Sequence, residues 1–352
     1  MRSAEFDLCN TRTQLVVGLG ALGVLKSLEE GAVVVHSASI EPELVLENLK
    51  NPSLILRIRD GEEAKDLSNV LELLREIAVK APPALQWIVA VGGGTVLDVV
   101  GFAASIYKRG VKLANVPTTL LAMVDAALGG KNGVNFAGAK NILGTFYHPR
   151  LVVSDTRFLE TLPEPEVSNG MAEVVKYCVT LDRDLCDLIA EKREEVLSRD
   201  HEVLEEVIYR SAMNKMRVVA QDEREEKRVR TVLNFGHTVG HAIEAGSDFR
   251  VPHGRAVAVG MVCESLLAEE LGVSKPGLAD FVKGLLNLYK LPSSARELGV
   301  LLDIEKAVLA LGRDKKRRGD SIDMPLPTDI GSWKRVQVSL RELEVHVERC
   351  LR

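Results

Sequence analysis

Six short apolar runs, "QLVVGLG", "AVVVHS", "LILRI", "WIVAVGGG", "VKLANV" and "LVVSD", recur between helix-period stretches such as "LSNVLELLREIAVK" up to about residue 155, and then the pattern stops. Alternation of this kind predicts a parallel sheet covered by helices. After "TLPEPEVSNG" long helical patterns take over, among them "MAEVVKYCVTLDRDLCDLIAEKREEVL" and "VLEEVIYRSAMNKMRVVA". The Pro-Glu-Pro stretch at 163 to 165 is the expected boundary, because proline stops helices and holds its neighbours extended. Two domains are expected in 352 residues, each large enough for its own core. The division predicted is an α/β domain over 1–162 and an all-α domain over 163–352.

The remaining composition mostly excludes. With 46% apolar residues, 27% charged residues and a net charge of −5, the chain has no bulk attraction for nucleic acid or anionic membrane. No charged-then-apolar leader opens it and no uninterrupted apolar run reaches about eighteen residues, so a cytoplasmic protein is expected. Cys9, Cys178, Cys186, Cys263 and Cys350 are scattered, odd in number and form no CxxC pair. They read as reduced thiols, which also favours the cytosol. Charge runs such as "EKREEV" and "DEREEKRVR" read as solvated faces.

"WIVAVGGGTVLDVVGFAAS" runs a strand into Gly92, Gly93 and Gly94, with Thr95 and Asp98 at the start of a helix. Glycine lets backbone N–H groups approach a phosphate, and a helix N-terminus adds the positive end of its dipole. This is the expected place for a nucleotide pyrophosphate, although GxGxxG is absent and a plain tight turn is the alternative. Thr118 and Thr119 end the next strand at the same ligand edge, and "RDGEEAK" brings Asp60, Glu62 and Lys65 there.

"VLNFGHTVGHAIE", residues 232 to 244, sets His237 and His241 four apart, and His253 follows in "VPHG". Histidines at i and i+4 share a helix face and can converge on one ion. Position 238 is Thr, so the HExxH metalloprotease lacks its base. Glu173 lies on the apolar stripe of Met171, Val174 and Cys178, and a carboxylate there must be paired or ligating. Two imidazoles, a carboxylate and an open position would make a catalytic zinc-type site. Core histidines with satisfied hydrogen bonds are the bland alternative.

The segments "GGGTVLDVVGFAASIYKRG", "VPTTLLAMVDAALGGKNGVN", "KNILGTFYHP", "FLETLP", "NGMAEVVKY", "LNFGHTVGHAIE" and "VPHG", in this order, resemble the 3-dehydroquinate synthase family from about residue 15 to about 335. The resemblance implies a Rossmann-like NAD-binding domain, a helical metal-binding domain with the active site between them, and a homodimer. It implies conversion of 3-deoxy-arabino-heptulosonate 7-phosphate to 3-dehydroquinate and phosphate, within the shikimate pathway, with NAD and a zinc or cobalt ion. The implied metal ligands are Glu173, His237 and His253, which leaves His241 as an acid/base or hydrogen-bonding group and revises the pair suggested by spacing. The implied substrate pocket is Asp125, Lys131, Lys140, Asn141, Lys176, Lys215, Arg230 and Asn234. Arg109, from this chain or its partner, would hold the phosphate with Lys315 and Lys316. The implied NAD contacts are Asp60, Glu62, Lys65, Gly93, Gly94, Thr95, Asp98, Thr118, Thr119, Lys131, Lys140, Phe158 and Thr161.

The family's chemistry asks for these residue types. A divalent ion acidifies a secondary hydroxyl for hydride removal. The new ketone activates the neighbouring C–H, phosphate leaves, the hydride returns, and the enol pyranose opens and closes by an internal aldol reaction. Arg and Lys suit a substrate that is both carboxylate and phosphate ester. Three departures stand out: Ala126 and Ala127 where the family shows "VDSS", Arg255 where it shows "HGE", and Ser37 and Ser39 where it commonly shows Asp-x-Asn. Three rival readings remain to be separated: a metal-dependent polyol dehydrogenase, a cyclase acting on a sugar phosphate without the carboxylate, and an inactive nucleotide-binding regulator.

Overall fold

The computed structural model describes residues 1–9, 11–137, 139–312 and 317–352, so Lys315 and Lys316 lie outside the described residues. The chain forms two compact units, Met1–Pro163 with Arg199–Arg224, and Glu164–Ser198 with Glu225–Arg352. The sequence reading draws a single line after residue 162. The chain itself passes between units near 163, 198 and 224.

The first unit contains strands β1 (Arg2–Leu8), β2 (Thr11–Val17), β3 (Val33–Ser37), β4 (Leu54–Ile58), β5 (Trp87–Gly92), β6 (Lys112–Pro117), β7 (Lys131–Phe136), β8 (Ala139–Phe146) and β9 (Leu151–Ser154). Its helices are α1 (Glu43–Leu46), α2 (Leu67–Lys80) and α3 (Gly94–Ile106). Seven strands make one sheet in the order β1-β2-β9-β6-β5-β3-β4, parallel except for the β1–β2 pair. The apolar runs are its inner strands. Every residue of β3 and β5 is buried, as expected for a sheet covered on both faces. Each fully buried Val or Ile there contributes about 1.5–3 kcal/mol. Asp66 starts α2 by accepting from the Ser68 N–H at 2.8 Å. Parallel register gathers the ends of β3, β4, β5, β6 and β9 on one edge, with Ser37 beside Ile58 and Gly92 beside Pro117.

Helices α4 (Glu164–Leu181), α5 (Arg183–Glu191) and α6 (Arg193–Leu197) open the second unit. Pro163 ends the connection and Pro165 occupies the first turn of α4, where a missing N–H costs nothing. The long helical pattern breaks at Asp182, whose carboxylate accepts from the Leu185 N–H and restarts the chain as α5. Helix α7 (His201–Gln221) returns to the first unit, where it packs on the π-helical turn Ala122–Ala126 and on β1. The second unit resumes with α8 (His237–Gly246), α9 (His253–Glu270), α10 (Leu278–Leu288) and α11 (Ile304–Leu311). It ends in β10 (Arg317–Arg318), β11 (Ser321–Asp329), β12 (Ser332–Ser339) and α12 (Leu340–Leu351). Helix α4 is buried without a break from Val167 to Thr180, and α9 packs against α4, α8 and α10. A helix buried on every side is the centre of its unit.

Two expectations need correction. The C-terminal half is helical but not all-α, since β10, β11 and β12 form an antiparallel sheet. Pro325 and Pro327 hide β11 from a propensity reading. Two residues apart, they leave their missing N–H groups on one edge, and β10 covers β11 only at Ser321 and Ile322. The cysteines are not all thiols either: Cys178 pairs with Cys186 and Cys263 with Cys350, while Cys9 is free and exposed. Partners 8 and 87 residues apart show no local spacing signature, and only folding brings their Cα atoms to 4.9 and 5.9 Å. The inference from thiols to the cytosol falls with them. Among the described residues no helix is long and apolar enough to cross a membrane.

Candidate metal centre and cofactor edge

In the second unit, three helices each bring one group to a common point. Glu173 comes from the buried middle of α4, His237 is the first residue of α8 and His253 the first of α9. Their ligand atoms lie within 4.8 Å of one another. His237 Nε2 and His253 Nε2 stand 3.5 and 3.4 Å from Glu173 Oε1. The second nitrogen of each ring is engaged, His237 Nδ1 at 3.1 Å from the Phe235 carbonyl and His253 Nδ1 at 3.1 Å from Glu244 Oε1. Such outer partners fix ring orientation and leave Nε2 for the cluster. Helix α8 starts at Gly236, whose φ of 79° suits glycine, and a Cβ there would come within 2.5 Å of Met261 Cγ.

Electrostatics around Glu173 favour a cation. Lys176 Nζ, one turn along α4 and itself buried, contacts the Glu173 carboxylate directly. Burial would lower the His253 pKa, but hydrogen bonds to Glu173 and Glu244 outweigh it and hold the ring up to about 10. Burial pushes His237 the other way, well below the ordinary histidine value, and Lys176 and the two neighbouring rings add to that. His241 is exposed, its ring centroid 5.5 Å from that of His237. Arg230 is buried in the turn Val229–Asn234 with Nε 3.7 Å from Glu225, and Asn234 ends that turn half-buried.

In the first unit, Gly93 precedes α3 and that helix start carries no side-chain cap. A Cβ on Gly94 would stand 3.0 Å from the Ala126 methyl, and one on Gly93 3.5 Å from Thr119 Cγ2, so the glycine turn and the threonine pair share one site. Thr118 is buried and its N–H donates to the Gly92 carbonyl at 3.1 Å. Below them Lys65 is buried between Asp98, at 2.6 Å, and Asn141 Oδ1, at 3.0 Å. Burial pushes the Asp98 carboxyl up against the pull of Lys65. Glu62 accepts from Asn135 at 2.9 Å and has Lys140 Nζ at 3.8 Å. Lys215 of α7 donates to the Asp125 carbonyl at 2.6 Å and pairs with its carboxylate at 2.9 Å. Thr95 lies in the first turn of α3, Phe158 is buried in the turn Thr156–Leu159, and Thr161 is exposed just beyond. Lys131 begins β7 on the surface.

Arg109 is the outlier. It precedes β6 and so sits at the amino ends of the strands, exposed, on the edge opposite the glycine turn. The departures also find places. Ser37 and the Ser39 N–H both donate to the Asp60 carboxylate, the latter at 2.9 Å, so Asp60, just past the neighbouring strand β4, stands at the end of β3. Arg255 donates to the Glu297 carbonyl at 2.7 Å. Sequence reasoning missed Glu244 and Asn135. Glu244 was findable, lying seven residues after His237 on the same helix face; Asn135 had no signal, since its contacts depend on the β7–β8 turn.

A parallel α/β unit with a glycine turn at its ligand edge, joined in one chain to a helical unit carrying a two-histidine, one-carboxylate cluster, is a plan that suits a dinucleotide- and metal-using enzyme. Residues 55–169 match the family described as 3-dehydroquinate synthase N-terminal and residues 170–317 the 3-dehydroquinate synthase C-terminal family. The chain belongs to the 3-dehydroquinate synthase family. It is 49% identical to a 3-dehydroquinate synthase of Sulfurisphaera tokodaii and 47% identical to one of Saccharolobus solfataricus, in both cases over 100% of each chain. Among solved structures it is similar to 2-deoxy-scyllo-inosose synthase complexed with carbaglucose-6-phosphate, NAD+ and Co2+, at TM-score 0.88 and 27% identity over 99% of this chain and 100% of that one. A probable glycerol dehydrogenase from Sinorhizobium meliloti, at TM-score 0.67 and 14% identity over 96% and 98% of the two chains, shares the fold alone.

Proposed function

We propose that the chain is a 3-dehydroquinate synthase, a phosphate-eliminating lyase that converts 3-deoxy-arabino-heptulosonate 7-phosphate to 3-dehydroquinate with bound NAD and a divalent ion, zinc or cobalt. The observation that carries this reading is identity near one half along the entire length of both chains with 3-dehydroquinate synthases. The donor set supports the ion: one carboxylate and two imidazole nitrogens within 4.8 Å, around a buried carboxylate that already draws Lys176. The uncapped start of α3 behind Gly93 supports the dinucleotide, as backbone N–H groups there suit a pyrophosphate. When bound, the ion would polarise a substrate hydroxyl and the nicotinamide would accept and return a hydride.

The chain's own residues supply the rest of this reading. Glu173, His237 and His253 hold the ion, and Glu244 orients His253. Lys176, Lys215 and Arg230 are buried cations in a chain of net charge −5, which suits a substrate with both carboxylate and phosphate groups. Asp125 fixes Lys215, and Asn234, Lys131 and Asn141 add hydrogen-bonding groups. His241, exposed beside His237, would take and return a proton at the substrate in this reading. Arg109 cannot join the ligand edge of its own sheet, so a homodimer in which each copy lends Arg109 to the other belongs to the proposal. The cytoplasm is the compartment proposed for this biosynthetic step.

The test follows phosphate release and NADH absorbance together in the purified protein supplied with the divalent ion and trace NAD+. Full conversion of 3-deoxy-arabino-heptulosonate 7-phosphate with no NADH accumulation is expected. A need for stoichiometric NAD+, with NADH released and no phosphate, would replace this reading with that of a polyol dehydrogenase.

A further inference from the structure

Helix α8 has an unusual beginning. An α-helix leaves its first N–H groups without intrahelical acceptors, and a Ser, Thr, Asp or Asn at the cap position ordinarily takes them up. Here the cap position is Gly236, which has no side chain to offer and whose own bond with the helix is the Gly240 N–H to Gly236 carbonyl contact at 2.9 Å. The acceptor comes instead from α9. Glu264, fully buried, takes the Thr238 and Val239 N–H groups on Oε1 at 3.1 and 3.2 Å and the Gly236 N–H on Oε2 at 2.8 Å.

Packing makes this reach possible. Gly260 stands one turn before Glu264, and a Cβ there would meet the Gly236 carbonyl at 2.0 Å and the Gly240 nitrogen at 2.8 Å. Gly240 in turn has the Val257 Cα 3.1 Å from where its Cβ would be. The two backbones therefore touch through glycines, and a side chain one turn on can span to the end of α8. A buried carboxylate is costly unless it is hydrogen-bonded, and three N–H groups at the positive end of a helix supply that compensation. Helix α9 has a matching arrangement, because its second residue, Gly254, donates to Asn169 Oδ1 of α4 at 2.6 Å. Each histidine-bearing helix thus begins on a cap contributed by another helix of the cluster.

We propose that Glu264 is a positioning residue for His237, holding the first turn of α8 so that His237 Nε2 meets Glu173 and His253; the inference rests on the reading of those three residues as metal ligands. Glu264 is not itself one of those three residues. It acts through the backbone on either side of His237, residues 236, 238 and 239. An amide cannot substitute, because one of its two polar atoms is a donor and would face an N–H.

The experiment uses the full chain, stripped of metal, and reads zinc affinity by competition with a chromogenic chelator in wild type, Glu264→Gln, Leu267→Ala and His253→Ala. Leu267 is a buried apolar residue one turn further along the same helix, with no side-chain group that could accept the α8 N–H groups, so its truncation reports lost packing. Glu264→Gln is expected to weaken zinc binding roughly 10- to 100-fold, the usual effect of removing an outer partner of a metal site, with Leu267→Ala close to wild type. Wild-type affinity in Glu264→Gln, or an equal loss in Leu267→Ala, overturns the proposal. A second arm needs no metal: amide exchange at Thr238 and Val239 should quicken at least tenfold in Glu264→Gln, and unchanged exchange also overturns it. If His253→Ala binds zinc like wild type, the ligand reading is what fails, and amide exchange alone then decides whether Glu264 holds the turn. Should Glu264→Gln not yield folded protein, Glu264→Asp, which keeps the charge but shortens the reach, is measured against the same criteria.

Discussion

At the strand ends of the first unit the functional groups are backbone turns and half-open side chains, among them Gly93, Gly94, Glu62 and Thr119. In the second unit they are side chains carried on helices, with Glu173, Lys176 and Glu264 fully buried. The two constructions fail differently. A turn that presents N–H groups tolerates change in the side chains around it, because the binding atoms belong to every residue. A cluster of buried ionic side chains tolerates almost none, since removing one member strands the others without solvent.

The largest effect is expected where that difference is greatest. Glu173→Ala removes a proposed ligand and leaves Lys176 buried beside His237 and His253 without its carboxylate. Loss of bound zinc or cobalt, measured by elemental analysis, should come with a stability loss of about 3–5 kcal/mol in denaturant unfolding, the cost of breaking a buried ion pair from one side. His253→Ala should lose the ion and turnover as completely while keeping most of its stability, because His253 is only half-buried at the start of α9. A His253→Ala variant with full metal content and full activity would return the histidines to a structural role.

The contrast also explains what could be read from the residues alone. Inner strands announce themselves because a parallel sheet buried on both faces demands unbroken apolar runs, as in "WIVAVG". Edge strand β1, the β7–β8 hairpin and the Pro-bearing β11 do not, because pairing geometry rather than composition makes them strands. Glu173 was legible as a carboxylate on an apolar stripe. That His253 rather than His241 stands with Glu173 and His237 was not legible from spacing, which favours the i, i+4 pair, and entered only through family resemblance. The Cys263–Cys350 disulfide and the Asn169 cap depend on contacts between elements far apart in the chain, and the Cys178–Cys186 disulfide and Glu264 on how consecutive helices pack, so no local pattern encodes them.

A smaller effect probes the cations. Arg230→Ala should lower kcat/KM for the phosphorylated substrate by roughly 1.5–3 kcal/mol, the size of a hydrogen bond to a charged group. Zinc affinity should stay near wild type, since Arg230 pairs with Glu225 and is not one of the three proposed ligands. An unchanged kcat/KM would make Arg230 a structural partner of Glu225.

The smallest effect tests the first unit without touching the second. Asp155, buried at the end of β9, accepts from the Leu22 N–H at 3.1 Å and from Arg157 Nη2 at 2.8 Å, tying the turn after β2 to the ligand edge. Burial would raise its pKa, but the hydrogen bonds from Arg157 and the backbone outweigh it, and the folded carboxyl lies below its ordinary value. A depressed carboxylate contributes stability that is fully present above its unfolded pKa of about 3.9 and is lost as pH falls through the lower folded value. Asp155→Asn keeps an acceptor but loses the charge, so a cost of about 1 kcal/mol is expected at neutral pH. The signature is in the pH dependence: wild type and variant should converge as pH drops below about 4. Zinc affinity should be indifferent throughout, because the residues that hold the cluster belong to the other unit. A variant whose stability gap stayed constant down to the lowest pH would show that Asp155 acts through shape rather than charge, and a parallel loss of zinc would show that its effect reaches beyond its own unit.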